Sequence, residues 1–163
     1  MWNLSLREKA EAYAISRGIE LIGPLGAGLE GSTWHVESKQ NLVSWAVKMH
    51  RHAAPYRQER NCYHRLTGTT EVAGFQVPQL LRADDEWLAI EMTIVERPFV
   101  LDFAQTFLDF PPDFTDEVWE ERIHTWSELY GDDWPMVRRL LHDLENFEIY
   151  YLDVHRQNIA PSD

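Results

Sequence analysis

The sequence predicts an α+β chain: a small antiparallel β-sheet lobe with an N-terminal helix over residues 1–95, then a reduced helical lobe over residues 96–163. Three observations predict it. Short apolar runs separated by glycine-rich turns fill the first half, and apolar residues at helical spacing dominate the second. The charge divides with them: residues 1–82 hold ten Lys/Arg and seven Glu, net +3, and residues 83–163 hold five Arg and twenty acids, net −15. Such asymmetry can mark two lobes with different work; the plainer alternative is a helical second half with solvated acidic faces.

The elements follow in order. Ser5-Leu-Arg-Glu8 has the capping-box pattern, and Gly18 sits where a left-handed glycine stops a helix. Residues 19–25 read as a strand running into Gly26-Ala-Gly28-Leu-Glu-Gly31. Residues 32–36 and 42–49 form a hairpin around a turn at 38–41. Pro55 opens a short helix that reaches about Leu66. A second hairpin joins residues 80–83 and 87–94 around Asp84-Asp85. A helix is expected to end near Leu108, broken by Pro111-Pro112. Thr115 starts the next, with Trp119, Ile123, Trp126 and Tyr130 at helical spacing up to Gly131. Asp133 and Pro135 start the last, with Val137, Leu140, Leu141 and Leu144 on one face. An apolar stretch at 147–152 then leads into the polar loop Asp153-Val-His-Arg-Gln-Asn158.

Composition narrows the function classes. A formal charge of −12 argues against general binding to nucleic acid or anionic membranes. No apolar run approaches the roughly eighteen residues of a membrane-spanning helix, and the first residues carry no signal-peptide apolar core. The single cysteine, Cys62, rules out an internal disulfide and a cysteine-rich zinc site, and fits a reducing cytoplasm. Its place in an amphipathic helix marks it as a core residue rather than a nucleophile. His50-Arg-His52 offers two metal ligands with no third at suitable spacing.

Gly26-x-Gly28-x-x-Gly31 is followed by a strand, and Lys48 lies near the position where a dinucleotide fold would place its ribose-binding acid. That excludes the dinucleotide reading. A glycine-rich hairpin can instead lay its backbone N–H groups over phosphates, because no Cβ blocks the approach; a tight turn is the plainer alternative. On the next strand Ala46 and Lys48 share a face: the small residue leaves room for a flat base, and the lysine reaches phosphate oxygens. Only three lysines occur, Lys9, Lys39 and Lys48, and Lys48 closes an apolar run, where it needs an anion. Glu59 on the following helix is a candidate partner; snorkelling of Lys48 and a solvated face for Glu59 are the alternatives. Asp153 and Asn158, five residues apart on a loop, can present a carboxylate to a hydroxyl and an oxygen to magnesium, or simply satisfy their own loop.

In this order the motifs resemble the protein-kinase-like superfamily, including its aminoglycoside and choline phosphotransferases, over about residues 19–163. The resemblance implies a kinase-like fold with residues 1–95 as nucleotide-binding lobe and 96–163 as a reduced helical lobe carrying the catalytic-type loop. It implies ATP as phosphate donor, Mg2+ as cofactor, and a hydroxyl acceptor or protein partner whose identity stays open. Gly26, Gly28 and Gly31 match the glycine loop, Ala46-Val-Lys48 the lysine strand, and Glu59 the glutamate that orients the lysine. Leu88-Ala-Ile-Glu-Met92 resembles the strand into the hinge, which puts Ile90 behind the adenine and the backbone of Glu91 and Thr93 against the base. Asp153 matches the catalytic base and Asn158 a magnesium ligand. The Asp-x-His-x-x-Asn form is similar to the small-molecule branch.

Some positions depart from the pattern. Tyr151-Leu152 stands where kinases have His-Arg, and Thr33 stands where they have valine. No Asp-Phe-Gly follows Asn158 before Asp163, so the principal magnesium aspartate is expected to be missing, with Asp163 a weak substitute. A pseudokinase-like binding or scaffolding module without turnover is therefore the alternative function.

Overall fold

The computed structural model describes residues 4–163. Its frame is a five-stranded antiparallel sheet formed by β1 (Ile19–Ala27), β2 (Gly31–Ser38), β3 (Ser44–His50), β6 (Leu80–Asp84) and β7 (Ala89–Met92). The strands lie in the order β1-β2-β3-β7-β6. The pleat sends alternate residues to opposite faces, and each face is covered by a different helix. Helix α1 (Leu6–Arg17) packs Ala10, Tyr13 and Ala14 with Trp34, Val36, Val47 and Met49. Helix α2 (Ala53–Arg65) packs Tyr56, Cys62 and Tyr63 with Ala46, Ile90 and Met92. Residue parity on β3 thus sorts the sheet: Ala46 and Lys48 lie on the α2 side, Val47 and Met49 on the α1 side.

Helix α1 begins and ends as the sequence predicts. Glu8 accepts from the Ser5 backbone N–H at 2.8 Å while Ser5 Oγ accepts from the Glu8 N–H, and Gly18 closes the helix at φ +66°. The third loop glycine is required for a different reason. A Cβ on Gly31 would collide with the Met49 carbonyl oxygen, where β2 crosses closely over β3. Gly31→Ala is therefore expected to destabilise the fold by about 1–3 kcal/mol, read as a lower denaturation midpoint at unchanged slope.

The second half holds more β-structure than predicted. No helix ends near Leu108: the segment is β8 (Phe99–Val100), a turn, and β9 (Thr106–Leu108). The run Phe-Val-Leu-Asp-Phe is dense in aromatic and β-branched residues without a helical period. Asp102 at φ +58° and Asp109 at φ +70° take the left-handed conformation that bends the chain at both ends. Strand β9 pairs antiparallel with β10 (Ile149–Tyr151), and β8 with β11 (Ile159–Ala160). Strand β8 also pairs with β5 (Phe75–Gln76), itself paired with β4 (Glu71–Val72), so this small sheet crosses the expected boundary at residue 95.

Helices α3 (Asp116–Tyr130) and α4 (Trp134–Glu145) complete this half. Thr115 caps α3, but only Trp126 and Tyr130 of its predicted apolar stripe are buried; Ile123 is exposed. On α4, Val137, Leu140 and Leu144 enter the core as predicted.

Candidate functional site

The site starts from one buried lysine. Lys48 is 5% exposed at the centre of the sheet on β3, where an ammonium needs anions close by. It has two. Its Nζ lies 2.7 Å from Glu59 Oε2 and 2.9 Å from Asp102 Oδ1. Glu59 is fully buried on α2, one turn before Cys62 and Tyr63, which anchor the helix in the core. Burial opposes ionisation of Glu59, but the Lys48 ammonium and His50 outweigh it and lower its pKa to about 2. Burial likewise works against the charge on Lys48, and the two carboxylates overcome it, so its pKa is raised.

Asp102 is a member of this charged cluster that sequence reasoning missed. It stands in the turn between β8 and β9, and its backbone conformation aims the carboxylate at Lys48. The glycine loop reaches the same spot: a Cβ on Gly28 would lie 3.9 Å from Asp102 Oδ2. Asp102 does not restore the Asp-Phe-Gly sought downstream of Asn158, because Asp102-Phe103 is followed by Ala104. Phe103 is fully buried, edge-on between Tyr63 of α2 at 5.4 Å and Tyr151 of β10 at 5.5 Å. Leu101-Asp102-Phe103 after an apolar pair was the available signal, hidden by its place in the chain order. Asp163, by contrast, is 91% exposed and pairs with Arg97 at 2.8 Å, away from Lys48.

The loop from Asp153 to Asn158 lies beside this turn because their flanking strands pair. The Leu101 N–H donates to the Asn158 carbonyl at 2.8 Å, and Tyr151 Oη donates to the Leu101 carbonyl at 2.5 Å. Asn158 donates its side-chain amide to Asp153 Oδ2 at 2.9 Å, which leaves Asn158 Oδ1 for another partner. Asp153 Oδ1 lies 3.5 Å from His155 Nε2. The Tyr151 phenol senses both aspartates: burial first, then Asp102 and Asp153, push its pKa well above the ordinary tyrosine range.

Other sequence-predicted residues are distributed as follows. Ala46 and Ile90 are buried on the Lys48 side of the sheet, with Ile90 directly opposite Lys48 in register. Gly26 has open space around its Cβ position, as a loop that admits a ligand requires. The expected base contacts of Glu91 and Thr93 do not fit. Glu91 is enclosed between β3 and β6, and its carboxylate points to the α1 face, accepting from Tyr13 at 2.6 Å and Arg17 at 3.0 Å. The Thr93 N–H already donates to the Gln79 carbonyl at 3.0 Å. Among the described residues, the next amides without a hydrogen-bond partner in this connection are those of Ile94 and Val95. Cys62 is buried, with its thiol pushed up to about 12 mainly by burial, so it stays protonated and inert.

No protein-family model matches the chain, and no curated protein shows significant similarity to it. Its chemistry has to be argued from the residues that converge at Lys48.

Proposed function

We propose that this chain is a kinase-like phosphotransferase that moves the terminal phosphate of ATP to a hydroxyl group. The observation that carries the reading is the convergence on Lys48 of Glu59 and Asp102, with Gly28 of the glycine loop beside Asp102. Lys48 would contact the nucleotide phosphates, with Glu59 holding it from behind, while Gly26 and Gly28 admit phosphate oxygens to the loop backbone. Ala46 and Ile90 would shape the space for the base.

The donor set suits Mg2+. Asp102 and Asn158 offer hard oxygen ligands, and among the described residues no three His, Cys, Asp or Glu side chains gather to hold a metal alone. Magnesium takes one or two protein oxygen ligands and completes its shell with water and substrate phosphates, so Asp102 and Asn158 would be its contacts from this chain. When bound, the ion would neutralise charge on the transferring phosphate. The chain's own residues do the rest. Asp153 orients the acceptor hydroxyl and takes its proton as the oxygen attacks the terminal phosphorus and the bond to the ADP oxygen breaks. Asn158 holds the Asp153 carboxylate through its amide.

The scaffolding alternative rested on a missing carboxylate after Asn158, and Asp102 supplies one from upstream. Transfer is tested by following labelled phosphate from ATP to the protein and to small hydroxyl acceptors. Asp153→Asn is expected to lower the rate on the order of 10²–10⁴-fold, as loss of a general base does. Nucleotide binding without transfer under any condition would favour the scaffold. Among the described residues no helix is long and apolar enough to cross a membrane.

A further inference from the structure

His50 closes β3 two residues after Lys48 and is fully buried. Its two ring nitrogens face two acceptors. Nε2 lies 2.6 Å from Glu59 Oε2, the same oxygen that Lys48 contacts, and Nδ1 lies 3.2 Å from the Leu88 carbonyl. A carbonyl can only accept, and an ionised carboxylate can only accept. Nε2 therefore carries the hydrogen directed at Glu59, while Nδ1 lies beside a carbonyl that already accepts the His50 backbone N–H at 3.0 Å. Lys48 and His50 thus share one oxygen of Glu59, and Lys48 also meets Asp102. The ring is wedged edge-on against Tyr56 of α2 at 5.5 Å. Lys9 of α1 donates to the His50 carbonyl at 3.1 Å, fixing the backbone from the other side of the sheet. Against the same residue packs Gly31, paired with it in register.

We infer that His50 is a positioning residue of the transfer site: its Nε2–H pins the Glu59 oxygen shared with Lys48, and so holds Lys48 in place. The inference rests on the phosphotransferase reading, but its first consequence does not. Glu59 would otherwise have one cation on that oxygen and no directional restraint, because its other oxygen, Oε1, has no hydrogen-bond partner. Neither Lys48 nor the helix alone can set the carboxylate's rotation.

Two measurements decide it. Proton–nitrogen NMR of the ring, assigned by the signals lost in His50→Gln, is expected to show a hydrogen on Nε2 held in a hydrogen bond. A ring protonated at Nδ1 alone overturns the inference whether or not the chain transfers phosphate. Transfer per folded molecule, with the folded fraction measured by circular dichroism, is expected to fall about tenfold or more in His50→Leu and less in His50→Gln, which keeps one donor. Equal rates per folded molecule in all three proteins would make His50 structural only. A wild type that transfers nothing counts against the phosphotransferase reading, and the NMR spectrum alone then decides whether His50 donates to Glu59.

Discussion

Glu59→Ala is expected to destabilise the protein by about 3–5 kcal/mol, the range for breaking a buried ion pair from one side. The size follows from what remains. Lys48 and His50 both lose the oxygen they share, and each sits at 5% exposure or less with no water to replace it. Asp102 still faces Lys48, so the lysine keeps one anion, whereas His50 keeps none. Chemical denaturation checks the magnitude. The acid limb checks the cause. A carboxylate whose folded pKa is depressed contributes stability that is present above its ordinary value and lost as pH falls through the folded one. For Glu59 that window runs from 4.5 down to about 2. The wild type should lose more stability across it than Glu59→Ala does. Equal acid slopes would mean that the pair contributes little.

Asp102→Asn is expected to cost transfer on the order of 10²–10³-fold, the scale of removing one preorganised charge-stabilising group, while leaving the fold nearly intact. The Asp102 side chain is 27% exposed, and Lys48 keeps Glu59 when it is gone. Asparagine preserves shape and the turn conformation, since both residues tolerate left-handed backbone. What changes is charge. A variant with wild-type transfer would remove Asp102 from the chemistry and leave it as a mere counterion for Lys48.

Much of the first half was legible in the sequence because its signals are local. The Ser5–Glu8 box, the Gly18 stop, the glycine loop and the alternation on β3 each depend on a few neighbouring residues. The Lys48–Glu59 pair was legible from scarcity: a lysine closing an apolar strand requires an anion, and the next helix offered one. The second half was less readable. Strands β8, β9, β10 and β11 are two or three residues long and are defined by partners in distant segments, such as Ile159 opposite Val100. Periodicity cannot reveal such elements. Asp102 was missed for a related reason: it was sought after Asn158, and only the pairing of β8 with β11 brings the two positions together. The Thr93 N–H is taken by the Gln79 carbonyl, a backbone bond that side-chain pattern does not report.

The central claim is that Asp102, supplied from upstream of the catalytic-type loop, completes a metal–nucleotide site with Lys48 and Asn158. Calorimetric titration of the whole chain with ATP, with and without Mg2+, tests it most directly when repeated on Asp102→Asn and Lys48→Ala. The account predicts that Mg2+ strengthens ATP binding to the wild type, that Asp102→Asn binds ATP with no Mg2+ dependence, and that Lys48→Ala binds weakly in both conditions. ATP binding whose Mg2+ dependence is the same in Asp102→Asn as in the wild type, or no ATP binding by the wild type at all, would contradict it.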